Sequence, residues 1–340
     1  MGELHKIMKF DKQRDLNSVH IWRKMDAAEL LLEADDVDTA LSILERAALD
    51  NYAVENLHYL RAMIYLGRND HQKAKEAALL EFANFPNSKR AKEILDSYEF
   101  TYRCPVCRNQ VADYLPLPND YTKQLEQYEF PYTLDEFETL NHNKYLCPNC
   151  GATDRDRLYA LFIDKITTEN PVGHKINTLD FAPSKSFANY INWNNNFNYR
   201  SADWLIDSFD EKVDIMNMHQ FTDSTFDAVI CSHVLEHVSD DVQAIRECKR
   251  VLKNSGWAIF MSPICLTLKV ILEDANITNP VERWKYFGQD DHIRLYSKAG
   301  FKERLTAGGF KITEYGLDYF GIENFVAAGL SSRSVLYVGR

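Results

Sequence analysis

The sequence predicts an α/β fold for the C-terminal half of the chain, built on an open and largely parallel sheet. An all-α segment and a small cysteine-stapled module precede it. Three observations carry that prediction: a strand, helix, strand succession between Phe221 and Pro263, a 34-residue recurrence near the N-terminus, and two Cys-x-x-Cys pairs.

The stretch from Phe221 to Pro263 organises the rest. The apolar run Phe226 to Cys231 predicts a strand buried on both faces. Val242, Ile245, Cys248, Val251 and Leu252 share one face of a predicted helix, which Asn254-Ser255-Gly256 is expected to stop. Trp257 to Met261 predicts a second buried strand, reached by a right-handed crossover. Ligands of such sheets bind beyond the carboxyl ends of the strands, and Ser232, His233, Glu236 and His237 follow one of those ends.

In the first hundred residues, Ala28 and Ala62, Leu32 and Leu66, Asp36 and Asp70, and Ala40 and Ala74 all recur at the same interval. That period, with Tyr65, Ala74 and Pro86 at consensus positions, resembles tetratricopeptide repeats. It predicts helix pairs over residues 21–54 and 55–88, with a capping helix over 89–99. Two readings stand for this array: a packing or dimerisation module, and a concave face that binds a partner protein.

Cys104–Cys107 and Cys147–Cys150 each place two thiols on a tight turn. Facing one another they form the four-sulfur cage of a structural zinc ribbon over residues 101–153; a rubredoxin-like iron site and two redox pairs are the alternatives. The intervening segment, with Pro116, Pro118, Tyr121, Tyr128, Phe130 and Tyr132, is expected to loop out. Cys231, Cys248 and Cys265 read as buried thiols. A helix is predicted from Asp154 to Ile166. Arg155 and Arg157 at its start stand either as contacts to an anionic substrate or as solvated or capping residues.

From about Lys175 onward, Phe226-Asp227 entering a strand, the run His233 to Asp241 and the run Arg250 to Trp257 resemble class I S-adenosylmethionine-dependent methyltransferases of the small-molecule and glycan type. The resemblance implies a Rossmann-like seven-stranded sheet over residues 154–340, after helical repeats over 1–100. It also implies S-adenosylmethionine as cofactor. Ile176 to Phe181 would be the first strand. The loop after it (Asp180, Phe181, Ala182, Pro183) departs from the family in lacking glycine, although some members appear with a similar Ala-Pro loop. Asp203, followed by Trp204, ends the second strand, placed either for the ribose hydroxyls or as a helix cap. Asp214 matches the family's adenine-binding acid, with Ile215 beside it. Ser232 and His233 would face the methionine moiety, with a strand-end structural histidine as the alternative for His233.

Methyl transfer to a hydroxyl is helped by a base near neutral pKa. His292, in a polar loop before a helix predicted from Ser297 to Ala307, and His237 are the candidates, with Asp291 and Arg294 as substrate contacts alongside Arg155. The alternative is that Arg294 pairs with an Asp, His292 tethers its loop and His237 is structural. Gly308 to Gly316 and Ser334 to Arg340 supply the last two strands, the final one inserted antiparallel.

A net charge of −11 argues against nucleic acid as a partner. The first fifteen residues lack the apolar core of a signal peptide, and no stretch is long enough to span a bilayer, so a cytoplasmic location is expected. Three functions follow: methylation of a small polar acceptor such as a sugar or glycan hydroxyl, an inactive adaptor, and a protein methyltransferase that recruits its target through the repeats.

Overall fold

The structure, a computed structural model, describes residues 19–49, 53–169, 173–205 and 208–340. The N-terminal segment read above for a signal peptide lies outside them. Two compact units divide the chain, residues 1–101 and 102–340.

Among the described residues, the first unit contains five helices: α1 (Val19–Glu33), α2 (Val37–Ala48), α3 (Leu57–Gly67), α4 (His71–Asn84) and α5 (Lys89–Asp96). The 34-residue period has a physical basis here. Asp36 caps α2 by accepting from the Thr39 N–H at 3.2 Å, and Asp70 caps α4 by accepting from Lys73 at the same distance. Ala28, Ala62, Ala40 and Ala74 are all buried, where small side chains let helices approach. Asn56, before α3, makes no side-chain cap. Glu81 of α4 takes that part instead, accepting from the N–H groups of Asn56, His58 and Tyr59 at 2.6, 3.1 and 3.3 Å.

The second unit opens with β1 (Tyr102–Arg103) and β2 (Gln110–Val111), an antiparallel pair around the first cysteine turn. The segment expected to loop out instead forms a helix, α6 (Asn119–Gln127). Its tyrosines Tyr121 and Tyr128 pack on Trp284, with ring centroids 6.0 and 5.5 Å away. Helix α7 (Asp154–Glu169) leads into the sheet. There β3 (Ile176–Phe181), α8 (Lys185–Trp193), β4 (Phe197–Asp203) and β5 (Glu211–Lys212) alternate, followed by β6 (Phe226–Ser232), α9 (Asp241–Val251) and β7 (Leu252–Met261). A short hairpin of β8 (Leu272–Glu273) and β9 (Arg294–Leu295) brackets α10 (Pro280–Phe287), and α11 (Lys298–Ala307) precedes β10 (Ile312–Tyr315). Two short helices, α12 (Leu317–Phe320) and α13 (Ile322–Ala327), lead to β11 (Leu336–Gly339).

The sheet order is β10-β11-β7-β6-β3-β4-β5, with β11 antiparallel to both neighbours. The carboxyl ends of β3, β4, β6 and β7 therefore share one edge: Phe181 pairs with Ala202 and with Cys231, and Ser232 with Met261. Asn254-Ser255-Gly256 does not stop α9, which ends at Val251. These residues sit in an irregularity of β7 where the register against β6 shifts. Gly256 is required there, because a Cβ would meet the Asp227 carbonyl oxygen at 2.8 Å. No helix among the described residues is long and apolar enough to cross a membrane.

Candidate functional site

The four cysteines of the two turns come together. Cys104 Sγ lies 3.8 Å from Cys150 Sγ, Cys107 Sγ lies 3.9 Å from Cys147 Sγ, and one ligand atom from each falls within 4.8 Å of the others. A tetrahedral metal with bonds of about 2.3 Å to sulfur gives sulfur–sulfur edges of about 3.8 Å, so the cage fits a metal ion. The Arg108 N–H donates to Cys104 O and the Gly151 N–H to Cys147 O, closing two matching turns. The second turn touches the sheet: Ser186 Oγ of α8 donates to Cys150 O at 2.5 Å.

Arg155 and Arg157 part company. Arg157 is fully buried over the Tyr114 ring, and its guanidinium donates to the carbonyls of Ala328, Tyr145, Ala152 and Lys144. It ties the ribbon to the segment before β11, and the expectation of a substrate contact there is corrected. Arg155 lines a cavity, and its Nη1 donates to His233 Nε2 at 2.9 Å.

Two cavities open at the carboxyl edge. One, of about 620 Å³, is bounded by Phe181 and Ala182 at the end of β3, Asp203 and Trp204 at the end of β4, and Asp214 and Ile215 after β5. The loop without glycine turns because Ala182 adopts φ 48°, the left-handed conformation glycine usually provides; its N–H donates to Ala202 O at 2.8 Å. Asp203 Oδ1 accepts from Leu205 N–H at 2.6 Å, and Asp214 Oδ1 from Met216 N–H at 2.9 Å, which fixes both carboxylates. Asp180, Pro183 and Ser232 lie outside this lining. Asp180 is buried, accepts from Tyr199 Oη at 3.0 Å, and is pushed well above the usual carboxylate pKa by burial. Ser232 Oγ pairs with Tyr159 Oη at 2.8 Å.

The second cavity, of about 290 Å³, has an apolar wall from the segment between the cysteine pairs (Tyr121, Leu125, Phe130, Phe137) and from Phe287. Arg155, Gln289 and His292 are among its polar groups. His233 and His237 line both cavities. His233, at φ 56°, is the second left-handed residue at this edge. Burial, with the Arg155 charge, lowers its pKa to about 4.

Around them lies a cluster that the sequence reading did not assemble. Glu236 is fully buried; its Oε2 accepts from Ser262 Oγ at 2.8 Å, and its Oε1 faces His233 Nδ1 at 3.2 Å. Burial works against its charge, but the imidazoles of His233, His292 and His237 outweigh that and set its pKa at about 2. His292, only 2% exposed, points Nδ1 at Phe287 O at 3.2 Å. His237 Nδ1 pairs with Asp291 Oδ2 at 3.3 Å, and the His237 and His292 rings meet edge to face at 4.7 Å. Asp291 borders the larger cavity. Arg294 does not face the cavity that His292 lines: it is buried and donates to Leu235, Val238 and Ser239 carbonyls and to Glu273. These bonds make it a strut under the loop that carries His237, in line with the alternative that it pairs with an acidic residue.

Among solved structures, the chain is similar to an S-adenosylmethionine-dependent methyltransferase from Mesorhizobium loti. The identity is 12%, over 53% of this chain and 97% of that one, with a TM-score of 0.36. It is also similar to one from Archaeoglobus fulgidus at 13% identity, over 53% and 92%, with a TM-score of 0.32. A comparison with curated proteins found no match. Residues 193–260, which run from the end of α8 through β4, β6 and α9 into β7, match the model of a methyltransferase domain.

Proposed function

We propose that the protein is an S-adenosylmethionine-dependent methyltransferase acting on a small polar acceptor, a hydroxyl of a sugar or glycan. The observation that carries this reading is the junction of the two cavities at His233 and His237. A donor in one cavity and an acceptor in the other would meet there. Bound S-adenosylmethionine supplies an electrophilic methyl group on a sulfonium.

The chain's own residues do the rest. Asp203 and Asp214, held rigid by backbone N–H groups, accept hydrogen bonds from the ribose and adenine. Phe181, Ala182 and Ile215 give the adenosyl group an apolar bed. The aromatic wall of the smaller cavity stacks on an acceptor and excludes water, while Arg155 and Gln289 orient its polar groups. His237 and His292 manage the acceptor's proton. Their Nδ1 atoms face a carboxylate and a carbonyl, which can only accept, so Nδ1 carries the hydrogen and Nε2 the lone pair.

The four-cysteine cage takes a structural zinc ion, consistent with four thiolates and no open position. Residues 1–100 form a helical-repeat domain for a protein partner, residues 101–153 the ribbon and residues 154–340 the transferase domain, in a cytoplasmic enzyme. Calorimetry with S-adenosylhomocysteine tests the reading. The wild type binds, and Asp203→Ala loses about 10- to 100-fold in affinity, the worth of about 1.5–3 kcal/mol of hydrogen bonding to a charged group. An absence of binding at high micromolar ligand sinks it.

A further inference from the structure

We infer that Glu236, His237 and His292 form a binding site for one first-row divalent transition-metal cation, facing the acceptor. The inference deepens the reading above and rests on it for the role of the cation, though not for the site itself.

The first ground is the donor set. One ligand atom from each of the three residues lies within 4.8 Å of the others, so that small side-chain adjustments bring all three onto one ion. Two imidazoles with one carboxylate suit borderline divalent ions of the manganese-to-zinc series; magnesium and calcium prefer oxygen alone.

The second ground is an unsatisfied atom. Glu236 is fully buried, and its Oε1 has no hydrogen-bond partner among the described residues. Its charge is met across the cluster by the His233 ring, whose Nδ1 lies 3.2 Å away. A buried carboxylate oxygen without a hydrogen bond is destabilising, and a cation beside it removes that penalty.

The third ground is the outer layer. Metal-bound histidines usually give their other ring N–H to a carboxylate or a carbonyl, which fixes the ring and leaves the ligating lone pair exposed. His237 does so toward Asp291 and His292 toward Phe287 O. Glu236 Oε2 is held in turn by Ser262 Oγ. All three ligands are thus oriented from outside the cluster.

Three protein ligands leave coordination positions open. His237 and His292 line the smaller cavity, so those positions are available to an acceptor there. The cation acts as a Lewis acid: it lowers the pKa of a coordinated hydroxyl, whose proton leaves to water. The acceptor oxygen then forms a bond to the methyl carbon as the carbon–sulfur bond breaks, and the sulfonium becomes a neutral thioether. His237 and His292 would thus handle the acceptor's proton through the metal. An acceptor with two neighbouring oxygens, as in a vicinal diol, suits such a centre best.

The test uses the full chain with the ribbon metal in place. Manganese(II) is titrated in while free ion is followed by electron paramagnetic resonance; manganese does not displace zinc from four thiolates. The expected result is one bound ion per chain, with at least tenfold weaker binding in His237→Ala and in Glu236→Gln. His237 is partly exposed, so its variant should keep the fold even if the Glu236 variant does not. Absence of a bound manganese ion, or equal binding by wild type and His237→Ala, overturns the inference. S-adenosylhomocysteine binding, measured in the same samples without manganese, separates the two ideas. Cofactor binding without manganese binding removes the cation alone, and manganese binding without cofactor binding leaves the site but removes methyl transfer.

Discussion

Asp156 links the helix that follows the ribbon to the loop that lacks glycine, and replacing it should loosen the donor cavity from a distance. Its Oδ2 accepts from Thr153 N–H and from Ser184 Oγ, both at 2.9 Å. Ser184 Oγ accepts from Phe187 N–H at 3.1 Å, starting α8 two residues after left-handed Ala182. An alanine in that conformation costs about 1 kcal/mol or somewhat more, which its surroundings must hold. Asp156→Ala removes one hydrogen bond to a charged group from the loop, worth about 1.5–3 kcal/mol. That loss redistributes the loop between cavity-competent and other shapes. Affinity falls only by the competent fraction, so about a tenfold weaker S-adenosylhomocysteine affinity is expected by calorimetry. Ala182→Gly in the same background should restore part of it by relieving the strain. An Asp156→Ala protein with native near-ultraviolet circular dichroism and unchanged affinity would refute the reasoning.

Three further outcomes are expected. Arg157→Met strands four carbonyl oxygens at a fully buried position, so it should cost about 3–5 kcal/mol in urea unfolding and speed metal release to a chromophoric chelator. Removing the cage metal with a strong chelator should weaken S-adenosylhomocysteine binding, since the Cys150 turn holds α8 through Ser186; the same treatment of Ser186→Ala should weaken it less. In the helical unit, burial raises Glu81 to about 7, opposed by its three backbone N–H donors. Its folded pKa exceeds the unfolded value of 4.5, so the proton it holds stabilises the fold below about pH 4.5 and is lost as pH rises through 7. Wild type should therefore lose about 2 kcal/mol relative to Glu81→Gln between pH 5 and pH 8, read as amide exchange in α3 and α4. Equal pH profiles for the two proteins would count against that assignment.

What was legible in the sequence was whatever is encoded locally. Asp36 and Asp70 betray the helical period because a cap must sit a fixed number of residues before its helix. Phe226 to Met261 betrays the sheet because strands buried on both faces read as apolar runs. What stayed hidden depends on long-range closure. Glu236 and His292 stand far apart in the chain and meet only when the loop before α11 folds back, where Ile293 N–H donates to Glu236 O at 3.0 Å. Arg157 and Arg294, for which the sequence offers substrate contacts, are buried and donate to carbonyl groups. One signal was present and passed over: Tyr121, Leu125 and Tyr128 repeat at helical spacing inside the segment taken for a loop.

That segment has an evolutionary corollary. Cys107 and Cys147 are 40 positions apart, and the four-cysteine cage fastens both ends of the stretch that supplies much of the smaller cavity's aromatic wall. A clasped insert of this kind can be lengthened, shortened or rewritten while the strands and the cavity beside Asp203 and Asp214 keep their shape, because closing a longer loop costs only a few tenths of a kcal/mol. Divergence in acceptor preference among related chains should therefore gather between the two clasps and leave the sheet's carboxyl edge alone.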